Sequence, residues 1–170
     1  MSNRVAANLV IAVDGATTLG GGSSGLSAPA DRARFHQLRS EFKAILIGGN
    51  TARSEPYAKT PIPLIVLTHL PLTGAVTANP LAIAWNISLP DAVALALTNY
   101  GDLLIEAGPV LLRSAMASHL LSEIYITLSD RLGGENPVEL AEFIQGGVEI
   151  SRQPFDGGVF LHYRLAPSHL

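Results

Sequence analysis

The chain has no cysteine among its 170 residues, which excludes disulfides, thiolate nucleophiles and zinc sites with thiolate ligands. Charged residues are also scarce, at 15% against roughly 25% in an average globular protein, while apolar residues reach 48%. Such a composition favours strands that are covered on both faces by helices. The formal net charge of -3 leaves no basic excess for binding a phosphate backbone, so we exclude nucleic acid as a main partner.

Long apolar runs are missing too, since none approaches the ~18 to 20 residues of a membrane helix, and we predict no membrane partner. The apolar stretch 5–13 follows Arg4 and resembles a signal peptide, but Asn8 interrupts it and Asp14 ends it before a cleavage site. A buried first strand in a cytoplasmic protein is the preferred interpretation. The length suits one sizeable core, so we predict a single domain over residues 1–170.

Short apolar runs bounded by Gly, Pro, Asn and Asp recur along the chain, a pattern typical of strands in a buried sheet. They predict strands at 5–13, 44–48, 63–67, 81–85, 102–105, 123–128, 147–154 and 158–165, with helices at 29–40, 90–99 and 109–118. Strands alternate with helices up to residue 128, which indicates a doubly wound α/β sheet. The turn Asp156-Gly157-Gly158 predicts an antiparallel hairpin. We therefore expect a three-layer α/β/α sandwich with a mostly parallel mixed sheet and a C-terminal antiparallel hairpin.

The first predicted helix has two unlike sides. Ala33, Phe35 and Leu38 lie along one side, which we expect to face the core. The other side is expected to be exposed and to face either water or an anion. It carries three arginines, Arg32, Arg34 and Arg39.

Two apolar strands each run into small residues that open a helix. The first turn is Gly48-Gly49, followed by Asn50, Thr51 and Arg53, and the second is Ala107-Gly108. A helix start offers unpaired N–H groups and the positive end of a dipole, and a small side chain lets an anion approach the backbone. Two such turns on one sheet indicate a ligand with several phosphates, for which a dinucleotide fits best. Thr51 and Arg53 can reach phosphate oxygens, although helix capping by Asn50 or Thr51 is the alternative.

The segment Gly20–Gly25 contains the letters of the G-x-G-x-x-G fingerprint but not its context, because the glycines do not lie directly between a strand and a helix. We interpret it as a mobile loop that folds over a ligand, or else as a plain flexible connection.

Polar residues at predicted strand ends are the candidates for chemistry, because ligands bind at the carboxyl ends of parallel strands. Glu106 closes an apolar strand, which suits it to donate a proton or to bind substrate hydroxyls. Asp14 ends the first strand and either serves the site or forms a turn with Gly15. Thr68 and His69 follow the strand that ends at Leu67, where a ribose or its phosphate would lie. No cluster has the spacing of metal ligands, so we predict no metal.

Four segments together resemble a known family, the riboflavin-biosynthesis pyrimidine reductases of the RibD C-terminal type, which have a dihydrofolate-reductase-like fold. Residues 7–16 are close to the first strand of the stand-alone members, and residues 27–39 are close to the first helix of the family. Residues 44–55 are close to its second strand and turn, and residues 106–112 are similar to its Glu-Gly-Gly-Pro motif. The resemblance covers the first two thirds of the chain, and the remainder matches only loosely.

The resemblance implies an NADPH-dependent reduction of a ribosylamino-pyrimidine 5′-phosphate to the ribitylamino compound by a homodimer. It places Thr51 and Glu55 at the cofactor, Thr68 near the adenosine ribose phosphate, and Gly108 through Leu111 under the diphosphate. The complete candidate cofactor set is Gly49, Thr51, Arg53, Glu55, Thr68, Ala107, Gly108, Pro109, Val110 and Leu111. The candidate substrate residues are Ser23, Arg39 as a phosphate partner, and Glu106, and the candidate catalytic residues are Glu106 and Asp14.

The chain also departs from the family. Ala107 stands where the family has a glycine, so its methyl group is expected to crowd the backbone or the diphosphate. Asn8 replaces the lysine of the bifunctional enzymes, and segments after Tyr57 and before Ala82 are short. The alternatives are therefore a reductase of the same fold for another small heterocycle or pterin, and a non-catalytic nucleotide-binding module. The choices between uracil and diaminopyrimidinone, and between NADPH and NADH, stay open.

Overall fold

The computed structural model describes residues 3–166, so the ends of the predicted 1–170 domain lie outside the described residues. The strands are β1 Val5–Ala12, β2 Ala44–Gly48, β3 Leu64–Leu67, β4 Ala82–Trp85, β5 Leu103–Ile105, β6 Glu123–Ser129, β7 Val148–Phe155 and β8 Gly158–Arg164. The helices are α1 Pro29–Glu41, α2 Gly49–Ser54, α3 Leu89–Asn99, α4 Pro109–Ala117 and α5 Ala141–Ile144, with short 3-10 turns at Ser23–Leu26 and Gly74–Ala78. The eight predicted strands and three predicted helices are confirmed within a residue or two. The helix expected to open after Gly48-Gly49 is the short α2, whereas α5 was not predicted.

The strands form one mixed sheet in the order β4-β3-β2-β5-β1-β6-β8-β7. The first six are parallel, and β8 pairs antiparallel with both β6 and β7. Gly157 at the β7–β8 turn has φ +112°, which a glycine adopts without strain. The predicted parallel sheet with a C-terminal antiparallel hairpin is thus confirmed.

Helices cover both faces of the sheet. On one face, Leu38 and Phe42 at the end of α1 pack against Ala6, Leu104 and Tyr125 of the sheet. On the other face, the core contains the inner sides of three helices, with Leu89, Ala92, Val93 and Ala96 of α3, Leu112 and Ala115 of α4, and Phe143 of α5. The structure is therefore the expected three-layer sandwich.

Helix α1 turns a different side to the sheet than its apolar pattern predicts. Its buried residues are Asp31, Leu38 and Arg39, while Ala33 is exposed. The prediction that Arg39 is exposed is wrong, since the residue is only 7% exposed. Both charges can be buried because each has a polar partner. Asp31 accepts a 2.5 Å hydrogen bond from Thr127 Oγ1, and Arg39 donates to the carboxylate of Glu106.

Candidate functional site

The two glycine-containing turns lie side by side at the carboxyl edge of the sheet. Strands β2 and β5 are parallel neighbours, with Leu46 opposite Ile105, and the N–H of Glu106 donates to the Leu46 carbonyl at 3.0 Å. A Cβ atom built on Gly48 would lie 3.6 Å from Leu111 Cδ2, so the first turn touches the helix that follows the second. One ligand can therefore contact both turns.

The turn after β5 has the features of an anion site. Gly108 is the N-cap of α4 and no side chain caps the helix, so the first-turn N–H groups of Val110 and Leu111 have no partner within the helix. Nothing lies within 4 Å of a Cβ position on Gly108, and Val110 is 78% exposed. This turn leaves backbone donors and open space for an anionic ligand.

Ala107 does not crowd this turn. Positive φ values among the described non-glycine residues occur only at His119 and Asn136, so the backbone at Ala107 is in a region that alanine tolerates. Ala107 is 8% exposed and belongs to the core cluster on the α3–α4 face. The expectation that its methyl group obstructs backbone or diphosphate therefore has no support in the geometry.

The turn after β2 brings the candidate residues Gly49, Arg53 and Thr68 together. A Cβ atom on Gly49 would lie 2.8 Å from Thr68 Oγ1 and 3.2 Å from Arg53 Nη1, which explains the need for glycine. Arg53 is exposed and donates to Asn50 Oδ1. His69, next to Thr68, is also exposed. Helix α2 has six residues, so its dipole is weaker than that of α4, and side chains must carry more of any ligand binding here.

Beside the turn after β5 lies a buried group that we name the carboxyl-edge cluster, Arg39, Tyr57 and Glu106. Arg39 donates to Glu106 through Nε at 2.8 Å to Oε1 and through Nη2 at 2.7 Å to Oε2. The Tyr57 hydroxyl donates to Oε2 at 2.7 Å. The guanidinium also lies 4.1 Å from the ring centroid of Phe35. All three members are less than 9% exposed, so the ion pair is bidentate and desolvated.

The cluster changes what Glu106 can do. Both of its oxygens accept hydrogen bonds and Arg39 balances its charge, so it is better suited to accept from a hydroxyl than to donate a proton. Burial lowers the pKa of Arg39, but the hydrogen bonds and charge of Glu106 outweigh burial and raise it. Burial and then the Glu106 charge raise the pKa of Tyr57 well above its usual value, so the phenol stays protonated.

Sequence reasoning missed Tyr57. It lies in the proline-containing segment after α2 and carries no periodic or motif signal. Only the tertiary structure places its hydroxyl against Glu106, 49 positions along the chain.

Asp14 holds a turn. Its oxygens accept from the N–H groups of Ala16 at 3.2 Å and Gly133 at 2.8 Å. The backbone hydrogen bonds from Gly133 and Ala16 lower the pKa of Asp14, which keeps it ionised. An exposed, ionised carboxylate that bonds two backbone groups is a poor proton donor at neutral pH.

The segment that contains Gly20–Gly25 is tied at both ends. The N–H of Ser23 donates to Glu55 Oε1 at 2.7 Å. Glu135 accepts from the N–H of Thr17 at 3.0 Å through its carbonyl and from the N–H of Gly20 at 3.2 Å through its side chain. Ser23 and Glu55, predicted at substrate and cofactor respectively, are therefore neighbours.

Two further classes of site find no support within residues 3–166. No group of three or more His, Asp or Glu side chains there could hold a metal ion. Over the same range, no helix combines the length and the hydropathy needed to cross a membrane.

Three solved structures illustrate the likeness of this fold to known proteins. A pyrimidine reductase-like protein from Corynebacterium diphtheriae aligns with 98% of this chain and 93% of its own, with a TM-score of 0.77 and 17% identity. RibD from Acinetobacter baumannii aligns with a TM-score of 0.76 and 17% identity, over 97% of this chain and 58% of its own. A deaminase/5-amino-6-(5-phosphoribosylamino)uracil reductase from Thermotoga maritima gives a TM-score of 0.68 at 12% identity, over 97% and 57%. This chain thus spans just over half of the last two proteins.

At these identities the structural likeness establishes the fold alone. The sequence profile of the RibD C-terminal domain matches residues 3–145. The chain belongs to the RibD C-terminal domain family, as its motifs indicated, and its general class is that of the riboflavin-pathway reductases. No curated protein matches the sequence.

Proposed function

We propose that the protein reduces a ribosylamino-pyrimidine 5′-phosphate to the ribitylamino compound with NADPH, as a homodimer. The observation that carries the proposal is the arrangement at the carboxyl edge, where the two glycine-containing turns adjoin each other and the carboxyl-edge cluster. This edge is where open α/β sheets bind their ligands.

The residues at the two turns fit a nicotinamide dinucleotide. The uncapped first turn of α4 and the open space above Gly108 suit the diphosphate. Arg53 in α2 and Thr68 directly after β3 suit the adenosine ribose and its phosphate. When bound, this cofactor supplies the hydride, and the protein supplies alignment and exclusion of water.

The carboxyl-edge cluster and Ser23 are proposed to bind the substrate. In the open-chain form of the sugar, the first carbon is doubly bonded to nitrogen. Reduction adds a hydride to that carbon and a proton to the nitrogen. Arg39 is proposed to attract the phosphate, and Glu106 to accept hydrogen bonds from sugar hydroxyls, since both of its oxygens are held in place. Asp14 lies at the end of β1 and borders the same edge.

The test is a turnover assay with the protein, NADPH and either the uracil or the diaminopyrimidinone form of the substrate. We expect NADPH oxidation matched by a product that has gained two hydrogens, with one of the two pyrimidines preferred. NADPH binding without oxidation by either pyrimidine would contradict the substrate assignment.

A variant links this activity to the turn after β5. Gly108 has φ -67° and ψ 172°, which any residue adopts, and free space around its Cβ position, so Gly108→Glu should fold normally. It places a negative charge against the diphosphate and should abolish NADPH binding. Ala94→Glu adds the same charge at an exposed position of α3 and should bind NADPH like the parent protein. Unchanged affinity in Gly108→Glu would remove the site assignment.

A further inference from the structure

Tyr57 has an aromatic ring fixed in the core and one polar atom at the edge of the site. The ring packs in a cluster with Ile45, Ile47 and Val66 on one face of the sheet. Its backbone is held on both sides, because its N–H donates to the Glu55 carbonyl at 2.9 Å and its carbonyl accepts from Asn79 Nδ2 at 3.1 Å. The position of the hydroxyl is therefore set by the core.

This hydroxyl approaches Glu106 from a different element than Arg39 does. Arg39 lies near the end of α1, Glu106 directly follows β5, and Tyr57 follows α2. Arg39 alone occupies both oxygens of Glu106, and Tyr57 adds a second hydrogen bond at Oε2. A carboxylate bonded from two directions cannot rotate about its terminal bond without breaking a hydrogen bond, and in a buried site such a break is costly.

We propose that Tyr57 is a positioning residue for the substrate: its hydroxyl fixes Glu106, and through Glu106 the guanidinium of Arg39, in the orientation that binds the sugar phosphate. The proposal rests on the proposed function, since it assigns Arg39 and Glu106 to the substrate. It does not involve the two glycine-containing turns, so it predicts no effect of Tyr57 on NADPH.

Tyr57→Phe isolates the hydroxyl because it keeps the ring that packs in the core. We expect the KM for the pyrimidine substrate to rise about tenfold because one charge-assisted hydrogen bond is lost. The kcat and the Kd for NADPH should stay within twofold of the parent values. Tyr100→Phe is the matched control, since Tyr100 is half-buried at the end of α3 on the opposite face. It should change none of the three constants.

A double-mutant cycle tests whether Tyr57 acts through Glu106. If it does, adding Tyr57→Phe to Glu106→Gln should raise the KM by less than twofold, because the group that Tyr57 positions is already altered. Independent effects that multiply would overturn the proposal.

Ribose 5-phosphate gives a readout that needs no turnover. By calorimetry, we expect Tyr57→Phe to bind it about tenfold more weakly than the parent protein, and Tyr100→Phe to bind it equally well. If the parent protein binds ribose 5-phosphate but reduces no pyrimidine, the proposed function fails while this test of Tyr57 still applies. The proposal is overturned if the parent protein does not bind ribose 5-phosphate, if Tyr57→Phe binds it normally, or if Tyr57→Phe loses NADPH affinity or its fold.

Discussion

Two clusters that each contain an arginine, a tyrosine and a glutamate lie at opposite edges of the sheet. The carboxyl-edge cluster joins Arg39, Tyr57 and Glu106, whose arginine and glutamate side chains are 9% and 3% exposed. The amino-edge cluster, Arg4, Glu123, Tyr125 and His162, is built around an arginine and a glutamate with 38% and 11% exposed side chains. In it, Arg4 Nη1 lies 3.3 Å from Glu123 Oε1, and His162 Nε2 lies 2.7 Å from Oε2.

The difference shows that residue type alone does not mark a functional site. The amino-edge cluster lies where β1 and β6 begin, and Arg4 there also bonds Asp102 through its N–H at 2.8 Å. The carboxyl-edge cluster lies where β5 ends, next to the glycine-containing turns. Ligands of open α/β sheets bind at the carboxyl ends of the strands, so the second cluster is the one that we propose to meet the substrate.

The largest expected difference between the clusters is in stability. Glu106→Ala leaves the buried guanidinium of Arg39 without its counter-ion and should lower the free energy of unfolding by about 3–5 kcal/mol. Glu123→Ala leaves Arg4 partly hydrated and still bonded to Asp102, and should cost about 1–2 kcal/mol. Urea unfolding of the two variants checks this order. Equal losses would show that the two clusters are equally desolvated.

Activity should separate the clusters next. Arg39→Gln should raise the KM for the pyrimidine substrate about a hundredfold, because it removes the buried charge that we propose to attract the phosphate. Arg4→Gln should leave the KM within twofold, since Arg4 lies at the far end of the sheet. Steady-state kinetics of both variants measure this contrast. A comparable rise of the KM in both variants would show that the effect comes from general destabilisation and not from substrate binding.

Arg53 should distinguish NADPH from NADH at the carboxyl edge. Arg53→Gln should weaken NADPH binding about tenfold and leave NADH binding unchanged, because we propose that the guanidinium next to Thr68 bonds the additional phosphate of NADPH. Lys59→Gln removes an exposed positive charge after Tyr57 and serves as the control. Fluorescence titration gives the ratio of the Kd values for NADPH and NADH. An unchanged ratio in Arg53→Gln would exclude Arg53 as the partner of the additional phosphate.

The smallest effect is on the alkaline side of the stability curve. Burial raises the pKa of Tyr57 well above its usual 10.0, and burial with Glu123 raises the pKa of Tyr125 to about 12. A raised folded pKa contributes stability that is present below the unfolded value and is lost as pH rises above it. From pH 8 to about 11, the free energy of unfolding should therefore fall less steeply with pH in Tyr57→Phe and Tyr125→Phe than in the parent protein. An identical slope in Tyr57→Phe would mean that its phenol ionises normally.

The sequence predicted the sheet well because strand and helix signals are local. Apolar runs bounded by glycine and proline marked each strand, and the Asp156-Gly157 turn marked the hairpin. The orientation of α1 could not be predicted in the same way. A helical pattern read by hydropathy places charge outside, whereas Asp31 and Arg39 are buried against partners 96 and 67 positions away.

The candidate site also has a part that local sequence predicts and a part that depends on contacts between distant segments. The two turns could be recognised because each is a continuous motif, and their adjacency follows from the strand order. The pairing of Arg39 with Glu106 and the presence of Tyr57 depend on three separate segments meeting in space. The ties of Glu135 to Thr17 and Gly20 are likewise contacts between distant loops. Local sequence patterns do not predict such contacts.

If both turns bind one nicotinamide cofactor, a titration with NADPH followed by amide NMR should report binding at the two turns together. We predict saturable shifts that follow a single Kd at residues 48–53, 108 and 110–112, with residues 4 and 123 of the amino-edge cluster unaffected. Shifts at only one of the turns, or no saturable shifts at either, would contradict the account.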